Sequence, residues 1–232
     1  MANPSAETLA QRVHEALLAH YGMPEPKLQR DPLSELVVTI LSQNTSDTNT
    51  ARAYAELRES FGNWESVRVA PTEAVADAIR VGGLANIKAP RIQRILDDLH
   101  QERGELSLAF LEDLETERAR RYLEDMHGVG PKTAACVLLF SLQKPALPVD
   151  THVHRVTIRV GLLRNGTSAA KAHTLLEDLL PQEAYYPFHL NVIRHGRTIC
   201  HAQNPECEAC PIAELCAYYA ETAGKVEESS DS

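Results

Sequence analysis

Apolar residues recur along most of this chain at the three- and four-residue spacings of amphipathic helices. Leu9, Val13 and Leu17 place a first helix over Ala6–Tyr21, ended by the run Gly22-Met-Pro-Glu-Pro26. A second starts near Pro32 and sets Leu33, Leu36, Val37, Ile40 and Leu41 on one face. It stops in the polar run Ser42-Gln43-Asn44-Thr45-Ser46, where Ser46 or Asp47 can cap a helix reaching Phe61. Trp64 to Val69 reads as a short connection, and Thr72 to about Val81 as a helix broken by Gly82-Gly83. Leu84-Ala85-Asn86 then reads as a loop ahead of an amphipathic helix carrying Ile87, Ile92, Ile95, Leu96 and Leu99.

Further on, helices over Glu115–Met126 and Pro131–Leu142 flank the turn Gly128-Val129-Gly130. The second of these is apolar nearly all round (Ala134, Ala135, Val137, Leu138, Leu139, Phe140), which predicts the most buried helix of the molecule. Past Pro145 and Pro148 come helices near Thr151–Leu163, Ser168–Leu180 and Tyr186–Cys200. No segment alternates between hairpin turns and no internal repeat is present, so the fold class is all-α.

Composition changes this picture little. The 232 residues suffice for one large or two small domains, and the 44% hydrophobic content is that of a globular protein. No apolar run approaches the roughly 20 residues that span a bilayer, and the N-terminus lacks a basic-then-apolar signal pattern, so a cytoplasmic protein without membrane contact is expected. Charge changes it more. A net −9 argues against a polyanionic partner, yet residues 118–164 carry eight Lys/Arg (Arg118, Arg120, Arg121, Lys132, Lys144, Arg155, Arg159, Arg164) against Glu124, Asp125 and Asp150, a local +5. The acidic excess lies elsewhere, partly in the tail Lys-Val-Glu-Glu-Ser-Ser-Asp-Ser.

Two stretches carry candidate chemistry. Four of the five cysteines crowd together as Cys200-x6-Cys207-x2-Cys210-x5-Cys216, a density that in a reducing compartment points to zinc or an iron–sulfur cluster rather than to disulfides. Cys136 stands apart in an apolar helix and reads as a buried small hydrophobe. The other stretch runs from Met126 to Val156. Its Gly-Val-Gly turn offers backbone N–H groups to a phosphate, and Pro131 suits the first helical position because it has no N–H to lose. Lys132 follows in the first turn, where the helix dipole favours loss of the ammonium proton, and Asp150 stands at the mouth of the next helix as cap, catalyst or both.

These stretches, in this order, resemble the endonuclease III-like DNA glycosylases of the helix-hairpin-helix superfamily. His-Gly-Val-Gly-Pro-Lys is similar to the hairpin motif LPGVGRKTA, Pro-Val-Asp-Thr-His-Val to the aspartate motif VDTHV, and Leu-Ser-Gln-Asn-Thr-Ser-Asp to LS-x-Q-x-T-D; the cysteine spacing matches in count. The similarity runs from about Pro32 to Ala217. It implies a two-domain fold: a six-helix domain over 24–144 containing the helix-hairpin-helix at about 115–142, and a cluster domain formed by 1–23 plus 145–232, with 221–232 as an acidic tail. DNA would lie in the cleft between them.

The resemblance also implies roles. Lys132 would attack C1′ of a flipped nucleotide and Asp150 would stabilise the cationic sugar and orient the amine. Gly128, Val129 and Gly130 would hold a phosphate, and the stack vacated by the base would be filled from Gln43 or Asn44 and from Leu84. The family's inserting glutamine aligns with Asn44, whereas Gln43 stands one position early. Cys200, Cys207, Cys210 and Cys216 would hold a [4Fe–4S] cluster. A monomeric enzyme of base excision repair follows, a DNA glycosylase and AP lyase acting on double-stranded DNA with oxidised pyrimidines or abasic sites. Adenine or mismatch glycosylases share the hairpin, aspartate and cluster but generally lack the lysine; a non-catalytic DNA-binding cluster protein is the remaining alternative. Three departures stand out: His127 in place of proline, Pro131 in place of a basic residue, and a Cys200–Cys207 loop, His201-Ala-Gln-Asn-Pro-Glu206, with little positive charge.

Overall fold

A computed structural model describes residues 5–26 and 29–222; the acidic tail expected at 221–232 lies, from 223 onward, outside the described residues. Among the described residues the secondary structure is helical, with no strand. The backbone divides into two compact units, Lys27–Lys144 and the combination of Met1–Pro26 with Pro145–Ser232.

The first unit holds α2 (Pro32–Leu41), α3 (Asp47–Phe61), α4 (Trp64–Val69), α5 (Thr72–Ala78), α6 (Ala85–Arg103), α7 (Thr116–Asp125) and α8 (Pro131–Phe140). Helix α4 adds a short seventh helix to the six expected there. Its segment reads as a connection because only Val67 is buried, but Asn63 caps it by accepting a hydrogen bond from the Ser66 N–H at 2.8 Å, and α4 packs against α6. Side-chain caps start other helices too, Asp31 for α2 and, as the sequence suggests, Ser46 for α3.

The centre of this unit is α2, laid along α8. Nine of the ten residues of α2 are buried, among them Glu35, whose carboxylate meets Arg30 Nη1 at 3.3 Å. Helix α8 buries Thr133 to Leu138, including Cys136, while Leu139 and Phe140 remain half-buried. The expectation that α8 is the most buried helix therefore gives way to α2. A uniformly apolar sequence does not decide depth; α2 is covered by α3, α6 and α8, and its polar Ser34 and Thr39 are carried inside with it.

The second unit contains α1 (Ala6–Tyr21), α9 (Thr151–Val160), α10 (Ala169–Leu179) and α11 (Tyr185–Thr198), followed by two short 3₁₀ turns among the cysteines. Helix α11 packs on both α1 and α9, burying Phe188 and Val192 with Ala10, Val13 and Leu17 in the core. Asn191 on α11 donates to Gly22 O at 3.1 Å and Tyr186 Oη to Glu25 O at 2.8 Å, so the end of α1 is held by side chains nearly the whole sequence away.

Candidate active site and metal centre

In the first unit, α7 ends at Asp125 and the chain turns through Met126–Gly130, closed by a Val129 N–H to Met126 O bond of 3.1 Å. Val129 is buried and anchors the turn. Gly128 has φ +74°, which favours glycine, and a Cβ there would stand 2.6 Å from Arg91 Nε and push that side chain aside. Gly130 differs: it is extended at φ −103° with open space around it, and it caps α8 without a side-chain bond. The first N–H groups of α8 therefore meet no capping side chain, the arrangement that suits an anion. Lys132, half-buried in that first turn, makes no hydrogen bond or ion pair among the described residues.

Two further segments of this unit carry residues that the sequence singles out. Asn44 (φ +54°) and Leu84 (φ +51°) are left-handed although neither is glycine. For leucine this costs on the order of 1–3 kcal/mol, and Leu84 also leaves 46% of its surface exposed. Leu84 is the N-cap of α6, which starts at Ala85 rather than after Asn86 as expected, and Ile87 beside it is 54% exposed. Asn44 is exposed with no side-chain partner among the described residues, whereas Gln43 Oε1 accepts a 2.9 Å bond from Arg91 Nη1.

One side chain beneath these segments escapes any motif. Lys88, 1% exposed, donates from Nζ to Leu41 O at 2.7 Å and Gly82 O at 2.8 Å. Burial, with Arg91 nearby, holds its ammonium below the ordinary lysine range. The signal was present in the spacing: Lys88, Ile92, Ile95 and Leu99 fall on one stripe of α6, so Lys88 occupies a core position.

In the second unit Asp150 caps α9, its Oδ1 accepting from the Val153 N–H at 2.8 Å. The segment before it is fixed from both sides. Glu177 Oε1 accepts from the Leu147 N–H at 2.7 Å, His173 Nδ1 pairs with Leu147 O at 2.9 Å and His189 Nδ1 with Pro148 O at 2.8 Å. Asp150 thus emerges from a buried, hydrogen-bonded stretch.

The four clustered cysteines line one cavity with Val156, Arg159 and His195. Among the described residues no three His, Cys, Asp or Glu side chains converge as ligands of one ion. Four thiols facing one cavity suit a four-sulfur metal site, and thiolate ligands serve zinc and iron–sulfur clusters alike. Burial raises the Cys207 and Cys216 thiols and pushes Cys210 up to about 11, so thiolates here need the positive charge of bound iron. Buried His195 falls to about 4 and is neutral at pH 7; its Nε2 lies 3.6 Å from Cys210 Sγ and its Nδ1 3.1 Å from Tyr21 Oη.

The +5 stretch of the sequence is largely occupied with structure. Arg155 bonds Gly196 O and Cys200 O, and Arg159 bonds Cys200 Sγ at 3.3 Å, His201 O at 2.6 Å and Ala202 O at 2.9 Å. Lys144 Nζ bonds Glu112 O and Leu114 O, and Arg120 pairs with Glu117. Four of the eight cations thus staple loops or pair with an acid.

Comparison with known proteins agrees with these features. Residues 37–182 match the HhH-GPD superfamily of base excision DNA repair proteins, and residues 200–216 the iron–sulfur binding domain of endonuclease III. The chain is 35% identical over 196 residues to endonuclease III of Thermotoga maritima, covering 84% of this chain and 87% of that one. It is 39% identical over 168 residues to a putative DNA glycosylase of Arabidopsis thaliana, covering 72% of this chain but 57% of that longer protein. Its backbone superposes on a non-covalent endonuclease III–DNA complex with TM-score 0.80 at 27% identity, over 96% of this chain and 99% of that one. The iron–sulfur match, with four thiols around one cavity, makes the cofactor a [4Fe–4S] cluster. The chain therefore belongs to the HhH-GPD superfamily of base excision DNA repair proteins, as an endonuclease III-like member.

Proposed function

We propose that the protein is a monomeric DNA glycosylase and AP lyase that removes oxidised pyrimidines from double-stranded DNA, with Lys132 as nucleophile and Asp150 as the assisting carboxylate. The observation that carries the reading is Lys132 itself: a half-buried lysine in the first turn of α8, behind a phosphate-suited glycine turn, whose amine has no partner among the described residues. A lysine kept for structure would show a carboxylate or carbonyl partner, as Lys88 and Lys144 do.

In this reading the Lys132 amine displaces the base at C1′, and the base departs with the bonding pair and takes up a proton. Asp150 offsets the positive charge on the sugar in the transition state and helps orient or deprotonate the amine. Opening of the sugar ring gives a protonated Schiff base, which acidifies the 2′-hydrogen. Loss of that proton expels the 3′ phosphate, and water releases Lys132. An amine in water is almost wholly protonated at neutral pH, so nucleophilicity depends on desolvation once DNA covers the site.

Asn44 and Leu84, both exposed and left-handed, are suited to fill the vacated stack. Asn44 rather than Gln43 is the inserting residue, because Gln43 is already bonded to Arg91. Cys200, Cys207, Cys210 and Cys216 hold the cluster, which supplies structural order to residues 200–216. An endonuclease III–DNA covalent intermediate, 27% identical with TM-score 0.79, supports the covalent route. Borohydride reduction tests it: wild-type protein should cross-link to abasic or oxidised-pyrimidine duplex and Lys132→Ala should not. Cross-linking that persists in the variant would remove Lys132 from its role.

A further inference from the structure

We propose that Lys88 and Arg91 are positioning residues that fix the roots of both DNA-inserting segments and join them to the hairpin, so that insertion occurs from a preset surface; this rests on the reading of Asn44 and Leu84 as inserting residues.

The argument starts from what a buried lysine costs. Lysine is almost never fully buried without partners, because its charge must leave water. A methionine or leucine would fill the same space on the apolar stripe of α6 without that penalty. What the amine adds is a link between two carbonyls that belong to different parts of the chain. Leu41 O stands at the end of α2, where a helix has unsatisfied carbonyls and the negative end of its dipole. Gly82 O closes the 3₁₀ turn that precedes Gly83 and Leu84.

The chain leaves these carbonyls directly into the inserting residues. Asn44 follows Leu41 by three positions, and Leu84 follows Gly82 by two. The two roots also lie close: a Cβ on Gly82 would stand in van der Waals contact with Leu41 O at 3.8 Å and tightly against Ala53 Cβ of α3 at 3.0 Å. One turn farther along α6, Arg91 holds Gln43 Oε1 and lies against Gly128 of the hairpin. Two adjacent cations thus connect all three segments proposed to meet DNA. The strained φ of Leu84 and Asn44 is held against relaxation by these bonds.

A role confined to fold stability would weaken every activity alike. A positioning role would not, because a preformed abasic site needs far less help to leave the stack than a paired base. The test uses the intact cluster-loaded protein and its Lys88→Met variant, with far-ultraviolet circular dichroism as the folding control. Excision of an oxidised pyrimidine from a paired duplex should fall about a hundredfold, the scale of a 1 Å misplacement. Borohydride trapping on a preformed abasic site should fall only a few fold. A 2-aminopurine beside an abasic analogue should brighten on wild-type binding and much less with the variant. Equal losses in excision and trapping, or no loss in excision, would overturn the proposal. If Lys88→Met does not fold, Arg91→Met carries the same comparison, with Arg91→Lys restoring part of the excision; equal losses again overturn it. Failure of the wild-type protein to trap would instead sink the glycosylase/lyase reading and leave the 2-aminopurine result to judge the positioning claim.

Discussion

Replacing Asp150 separates two roles that coincide in one carboxylate. Its Oδ1 accepts the Val153 N–H at 2.8 Å and starts α9, while the proposed chemistry needs the negative charge. Asparagine is about as good an N-cap as aspartate, so Asp150→Asn keeps the hydrogen bond and loses the charge. Alanine loses both. Removing such a cap costs about 1 kcal/mol, which in a chain of this length moves a thermal midpoint by roughly 2–4 °C. The charge's interaction with the α9 dipole adds about 0.3–1 kcal/mol, and this part is lost in both variants. Urea unfolding should therefore place Asp150→Asn a few tenths of a kcal/mol below wild type and Asp150→Ala about 1 kcal/mol lower still. Single-turnover excision should fall about 10²–10³-fold in both, the usual cost of removing one preorganised electrostatic group. An Asp150→Asn protein that excises at near wild-type rate, beside an inactive Asp150→Ala, would show that the residue acts as a cap alone.

Other perturbations follow from the same geometry. Leu84→Gly should fold as well as wild type or better by about 1 kcal/mol, since glycine accepts φ +51°, yet should excise poorly; chemical denaturation and excision rates check the two signs. Gly128→Ala should destabilise by about 1–3 kcal/mol through its positive φ and the clash with Arg91, whereas Gly130→Ala should leave stability nearly unchanged and weaken duplex binding in fluorescence anisotropy. Cys207→Ser should remove the brown colour of the cluster and lower hydrogen-exchange protection over 200–216, while α2 and α8 keep theirs.

Much of this molecule could be read from its sequence because the local rules agree. Ser5, Asp31, Ser46 and Ser168 each cap the helix that follows them, and apolar spacing located the long helices to within a few residues. The failures have local causes. Helix α4 has a single buried residue, too few to show periodicity, and α6 begins on a left-handed leucine, which no capping rule anticipates. Charge was the least legible property. Arg155, Arg159 and Lys144 count as cations in any tally of DNA affinity, but their donors are turned onto backbone carbonyls. Lys88 is hard to place because lysine reads as surface, although its position on the Ile92–Ile95–Leu99 stripe puts it inside. The cysteines were legible as a set, whereas the choice between zinc and a cluster needed the family match.

The central claim is that the Lys132 amine forms the bond to the sugar. Proteolysis and mass spectrometry of the borohydride-reduced protein–DNA adduct test it directly. The added sugar-phosphate mass should appear on the peptide containing Pro131, Lys132 and Thr133, with fragment ions placing it on Lys132. The same mass on another lysine or on the chain's α-amine, with Lys132 unmodified, would contradict the account.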